Sequence, residues 1–173
     1  MITFKINGID NVLNLLRALP AEVAAKNGGP VRKALRKGAV VIQKAEIANL
    51  QAVTSNATKE DVRLSTGLLM KNVVVTRGKA PTDGKGERML VRVKRKTYQR
   101  AAERNAQGKK AKRAAAVTTL QTAQLLEYGS SKQTPEPWIR PAFENKAQTA
   151  IVTVVSSLVA DLDRLAGKYL KGP

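Results

Sequence analysis

Between Leu125 and Glu144 the chain reads LLEYGSSKQTPEPWIRPAFE, and no other stretch restricts its backbone so strongly. It holds the single tryptophan, Trp138, and three of the seven prolines. Proline fixes its own φ and pushes the preceding residue toward extended conformations. Tyr128-Gly129 therefore reads as a turn, the residues around Pro137-Trp138 as an extended strap, and Arg140-Pro141 as the start of a helix with Pro at its first position. Ala142, Phe143, Ala147, Ala150, Ile151, Val154, Val155, Leu158, Leu162 and Leu165 then recur at helical spacing. They predict one long helix that ends before Gly167 or in the basic tail. Trp138 is expected to be a packing anchor, within the chain or against a neighbouring subunit.

The rest of the chain is organised around weaker signals. Ile2–Ile6 alternates as a short strand, Asn7-Gly8 turns, and Ile9, Val12, Leu13, Leu15, Leu16 and Leu19 mark an amphipathic helix. Asn27-Gly28-Gly29-Pro30 breaks it. A longer helix is predicted over Val31–Leu50, with Val31, Leu35, Ala39, Ile42 and Leu50 on or near one face. Arg32, Lys33, Arg36 and Lys37 crowd its first two turns against the helix dipole, which points to an anionic partner at that end. Gln51–Glu60 reads as a polar loop. Val73–Thr76 and Arg88–Arg95 read as strands that pair as a hairpin across a turn at Lys79–Glu87. In the second strand Met89, Val91 and Val93 alternate with the wet positions Leu90, Arg92 and Lys94. Val117–Glu127 has apolar spacing compatible with either a strand or a short helix. The predicted class is α+β: a small antiparallel sheet packed with N-terminal helices and a long C-terminal helix, in a single domain spanning residues 1–173.

Charge sets the class of partner. Thirty-one Lys and Arg against 13 Asp and Glu give a net charge of +18 in 173 residues. Such an excess repels itself unless a partner or counterions neutralise it. Half of it lies in Arg92–Arg113, where Arg92, Lys94, Arg95, Lys96, Arg100, Arg104, Lys109, Lys110, Lys112 and Arg113 face Glu103 alone. Apolar periodicity stops after Val93, so a basic, flexible arm or loop is predicted at about 96–116. Its cations would bind phosphates without reading sequence, or meet an acidic protein surface. With Tyr98 its only aromatic residue, the arm is not a base-stacking platform.

Several chemistries are poorly served. The chain has no Cys and no His, which removes disulfides, thiolate chemistry, the usual Cys/His zinc sites and imidazole triads. Glu60-Asp61 and Asp161/Asp163 are the candidate carboxylate pairs. The first pair points apart, and the second is expected on a solvent face. Gly84–Gly86 lacks the spacing of a phosphate loop and reads as a hairpin turn. No enzyme activity, metal or cofactor is expected. The N-terminus lacks the pattern of a signal peptide, and the apolar tract near Ala150–Ala160 is too short and polar to span a bilayer, so no membrane partner is expected.

Three short motifs in order give the chain a likeness. Phe4-Lys5-Ile6-Asn7-Gly8-Ile9 opens a strand, turn and helix. Ser65-Thr66-Gly67-Leu68-Leu69 precedes a strand. Leu126-Glu127-Tyr128-Gly129-Ser130-Ser131-Lys132 is followed by Pro137-Trp138-Ile139-Arg140-Pro141-Ala142-Phe143 and a closing helix. In these motifs the chain resembles the neck or tail-completion proteins of long-tailed bacteriophages, also described as minor tail proteins or head–tail connectors. Ser65 stands where the family pattern has Arg, and the basic stretch from Lys96 to Arg113 is longer and more cationic than the family's link. The resemblance implies a structural virion protein at the head–tail junction, assembled in the bacterial host cytoplasm. It implies a homo-oligomeric ring, with a hexamer as the natural guess, around the channel for packaged double-stranded DNA. Its neighbours would be a head-closure or connector protein and a tail terminator or tail tube protein. Ser65, Thr66, Gly67, Glu127, Tyr128, Gly129, Pro137, Trp138, Arg140 and Pro141 are then assembly and packing residues. The alternative that charge alone favours is a small basic nucleic-acid-binding protein of a bacterium, nucleoid-type or RNA-binding.

Overall fold

A computed structural model describes residues 29–55, 67–79, 86–98 and 117–170, with only the backbone described beyond residue 164. The elements, in chain order, are α1 (Gly29–Ser55), the single turn α2 (Leu68–Lys71), β1 (Val73–Arg77), β2 (Met89–Val93), α3 (Thr119–Tyr128) and α4 (Ile139–Leu170). The class is α+β: a long N-terminal helix and a long C-terminal helix pack together with a two-stranded antiparallel sheet. The expected strand Ile2–Ile6, the helix from Ile9 to Leu19, Ser65, Thr66 and the stretch from Arg100 to Arg113 lie outside the described residues.

The buried stripe of α1 is Ala34, Gly38, Ile42, Glu46 and Leu50, spaced four apart. Ile42 and Leu50 were expected there; Val31, Leu35 and Ala39 flank the stripe and are only half-buried. The expected loop at Gln51–Ser55 is helix instead. The apolar phase continues from the buried Leu50 to Val53, which packs on the core. Thr54 and Ser55 turn their hydroxyls back to the carbonyls of Leu50 and Gln51, at 2.9 and 2.7 Å, so polar composition is accommodated inside the last turn.

The expected hairpin forms. Lys94 N–H donates to the Asn72 carbonyl at 2.8 Å beyond one end of the sheet, and Gly78 N–H to that of Arg88 at 2.8 Å beyond the other. Met89, Val91 and Val93 are half-buried while Leu90 and Arg92 are exposed, as the alternation predicts. The undecided run at Val117–Glu127 resolves as helix α3. Thr118 caps it: its hydroxyl accepts from Gln121 N–H, and the Gln121 side chain accepts from Thr118 N–H at 2.9 Å.

By internal contacts the described residues fall into two compact units. The first takes those within 29–42, 75–79, 86–90 and 145–170. Here α1 meets α4 at Gly38, where a β-carbon would stand 2.4 Å from Val154 Cγ2 and 3.0 Å from the Ala150 carbonyl oxygen. Only a glycine lets the two backbones come so close. Gly38→Ala is expected to cost about 1–3 kcal/mol through overpacking, read as a lower urea midpoint with an unchanged slope. In the same unit Asp161 is buried, contrary to the expected solvent face. It lies on the stripe of Ser157 and Leu158, and its Oδ1 pairs with Lys33 at 3.5 Å and Arg164 at 3.4 Å. Asp163 is exposed.

The second unit takes residues within 43–55, 67–74, 91–98 and 117–144. Its core is Leu50, Leu69, Val73, Ala123 and Trp138, lined by Ile47, Val53, Met70, Val91, Val93, Leu126 and Ile139. Trp138 is 0% exposed. Phe143, expected on the apolar face of α4, is largely exposed, and Trp138 supplies the bulk at that end. Helix α4 begins at Ile139, so Pro141 is its third residue rather than its first as expected, and the helix runs past Gly167 to Leu170 in the basic tail.

Candidate functional site

The Tyr-Gly and Pro-Trp motifs fold into one joint within the second unit. Gly129 ends α3 with φ 73°, and a β-carbon on it would lie 2.8 Å from the Gln133 carbonyl oxygen and from Pro135 N. Only glycine fits there. Ser130 N–H then donates to Gln133 carbonyl at 2.8 Å, and Glu136 N–H returns to the Leu126 carbonyl at 2.8 Å. The strap is thus folded back along the helix it has just left, and it delivers Trp138 to the core.

Glu127 completes the joint. Its carboxylate is almost wholly buried and accepts N–H groups from Trp138 (2.9 Å), Ile139 (2.9 Å) and Arg140 (3.3 Å). A helix leaves its first four N–H groups without intrahelical acceptors. Counted from Trp138, three of those in α4 are taken by Glu127, and the fourth residue, Pro141, has no N–H. The negative charge also suits the positive end of the α4 dipole. On the other side Asn49 of α1 donates its amide to the Trp138 carbonyl at 3.1 Å.

Arg140 closes the outer face. Its Nε lies 3.4 Å from Glu127 Oε1, and its guanidinium sits 5.7 Å from the centre of the exposed Tyr128 ring. The three motif side chains therefore divide their work: Glu127 turns inward, Tyr128 outward, and Arg140 spans both. Gly67 precedes α2, which touches α3, so the Gly-Leu-Leu motif packs in the same unit. Leu69 of that motif and Trp138 share one core.

A second buried acid was not anticipated. Glu46 is 5% exposed, and burial first, then the charge of Glu127, pushes its pKa from 4.5 to about 7. The signal was present in the sequence: Glu46 sits four residues after Ile42 and four before Leu50, on the buried stripe. Below about pH 4.5 the carboxyl is protonated in both folded and unfolded chains. Between about 4.5 and 7 only the unfolded chain releases the proton, so stability falls as pH rises. Glu46→Gln is expected to flatten that decline and to add about 1–2 kcal/mol at pH 8, allowing for partial solvation. Urea unfolding at several pH values measures both effects.

The basic residues divide into those the structure places and those beyond it. Arg92, Lys94, Arg95 and Lys96 are exposed, and none forms an ion pair among the described residues. Their backbone is fixed: Thr119 Oγ1 donates to the Lys94 carbonyl at 2.6 Å and accepts Lys96 N–H at 2.9 Å, while Thr119 N–H donates to the Lys96 carbonyl at 2.8 Å. Tyr98 N–H donates to the Val117 carbonyl at 3.2 Å, and Thr97 bridges Thr118. Arg100, Arg104, Lys109, Lys110, Lys112 and Arg113 lie outside the described residues, between the two sides of this clamp in sequence. At the start of α1, Lys33 pairs with Asp161, while Arg36 and Lys37 are exposed.

Among the described residues no set of groups suited to acid–base or metal chemistry comes together. An open groove of about 450 Å³ beside α3 is lined by Val117, Gln121, Gln124, Leu125, Tyr128 and Gly129, with Tyr128 its only titratable side chain. Among the described residues no three Asp or Glu side chains are placed to hold a metal ion, and no helix is long and apolar enough to cross a membrane. No protein-family model, curated protein or solved structure matches the chain.

Proposed function

We propose that this chain is a structural virion protein of a tailed bacteriophage, acting at the neck as one subunit of a ring that joins tail to head around the DNA channel. One observation carries the reading most directly. The motif residues behind the resemblance, Gly67-Leu68-Leu69 and Glu127 to Pro141, are far apart in sequence yet pack in one unit. They go into an internal joint rather than a reaction centre, which suits a building block. The partners on this reading are further copies of the chain, expected to number six, a head-closure or connector protein, a tail terminator or tail tube protein, and packaged double-stranded DNA.

Removal of the gene from a phage that carries it is the test. Filled heads and separate tails that fail to join, with joining restored by the supplied protein, are expected. Labelled protein should locate between portal and tail tube in particle images. Joined, infectious particles formed without the protein would overturn the reading and leave the small nucleic-acid-binding protein as the better account of its charge.

A further inference from the structure

We infer that the sheet end in the second unit, formed by Lys71, Arg92, Lys94, Arg95 and Lys96, docks the phosphate backbone of double-stranded DNA. This rests on the neck reading and deepens it, since that reading names packaged double-stranded DNA as a partner but gives it no surface.

The patch is assembled by backbone pairing. Lys71 ends α2, and the carbonyl of the next residue, Asn72, accepts Lys94 N–H at 2.8 Å. That bond brings the chain at Lys71 alongside the run from Lys94 to Lys96. Arg92 and Lys94 are alternate residues, about 6.6 Å apart along the chain. All five side chains are exposed, and none pairs with an acid among the described residues. Of the described acids of this unit, Glu46 and Glu127 are buried, and the exposed Glu136 and Glu144 lie in the strap and at the start of α4 and form no ion pair with the five cations. Five unneutralised cations thus stand on a backbone that Thr119 and Asn72 already hold, so little order remains to be imposed on binding.

The chemistry selects the partner. Arg92 of β2 and Lys94, one residue beyond the strand, are exposed, while Val91 and Val93 pack on the core. An acidic protein would be met best by a patch with an apolar or aromatic centre, and a membrane by an apolar face for insertion. Single strands call for exposed rings on which bases stack, and Tyr98 at the edge is half-buried. Duplex DNA carries a phosphate about every 1.7 Å of its axis, so cations at this spacing find partners in any register.

The test uses the full chain and a short, labelled, mixed-sequence DNA duplex followed by fluorescence anisotropy. Five phosphate contacts predict a fall in affinity on the order of several hundredfold between about 50 and 200 mM salt. Neutralising three in Lys71→Gln/Arg92→Gln/Lys94→Gln is expected to lower the salt slope by about 3 and to weaken binding at low salt at least ~10-fold. Lys71→Arg/Lys94→Arg should keep wild-type behaviour. Should the triple variant melt early, Arg92→Gln alone should still lower the slope by about 1. An unchanged slope in folded variants overturns the inference. So does loss of binding confined to Lys109→Gln/Lys110→Gln/Lys112→Gln, or preference for single-stranded DNA, polyglutamate or phosphatidylserine vesicles over the duplex. Head–tail joining is scored separately, so an unchanged salt slope would sink this surface and leave the neck reading standing, while particles that join without the protein would sink the neck reading and leave the surface to its own test.

Discussion

Trp138→Ala is expected to lower the unfolding free energy by about 3–5 kcal/mol, which for a domain of ordinary stability is much of the total. The indole is fully buried in a core shared with Leu50, Leu69, Val73 and Ala123. That core joins α1, α2, β1, α3 and the start of α4, and aromatic residues make up only 3% of the chain. No other residue of this core is aromatic, so no side chain of comparable size stands ready to fill the space. Trp138→Phe should cost much less. It keeps a ring and removes an indole N–H that has no hydrogen-bond acceptor among the described residues. Urea unfolding of the two variants checks the ranking. Equal losses would mean that the indole N–H, and not the volume, matters.

Glu127→Ala is expected to be comparably severe, about 3–5 kcal/mol, by a different route. It leaves the N–H groups of Trp138, Ile139 and Arg140 without their acceptor at a buried helix end. Arg140 is exposed enough to turn its guanidinium to solvent, so its loss adds little. Part of the cost is offset because Glu46 no longer faces a second negative charge, and its pKa should fall back toward the ordinary carboxyl range. Two measurements separate this account from simple loss of packing: faster hydrogen exchange at the amides of residues 138–140, and a pH dependence of stability displaced to lower pH. Glu127→Gln, which keeps the shape and one acceptor oxygen, should fall between wild type and alanine.

The sheet and the long helices were readable because their signals are local. The alternation around Val91 and the apolar repeat from Ile42 to Leu50 each lie within a few turns or pleats of one element. The cap of α4 was not readable in the same way. Pro141 announces a helix start, but the acceptor for the preceding N–H groups is Glu127, eleven residues before Trp138 on a different helix. Nothing in Glu127-Tyr128-Gly129 distinguishes a carboxylate turned inward from one in solvent. Glu46 and Asp161 show the converse. Each occupies a buried phase of its own helix, and phase outweighed polarity because the charge found a partner or a proton. Gln51–Ser55 misled through composition, since hydroxyl side chains favour loops unless they bond back to the preceding turn. The basic side chains were legible as charge, but Lys71 joins them only through the pairing of Asn72 with Lys94.

The clamp at Tyr98 and Val117 has a consequence for how such a chain can diversify. Its two sides are tied by hydrogen bonds from residues 94–98 to residues 117–119, all outside the stretch between them. Closing a loop costs only about 0.6 kcal/mol more for each doubling of its length. Residues 94–98 and 117–119 are held by bonds made among themselves. A change of length or charge between them leaves the donors and acceptors of the clamp untouched, so the clamp itself need not be renegotiated when such a change occurs.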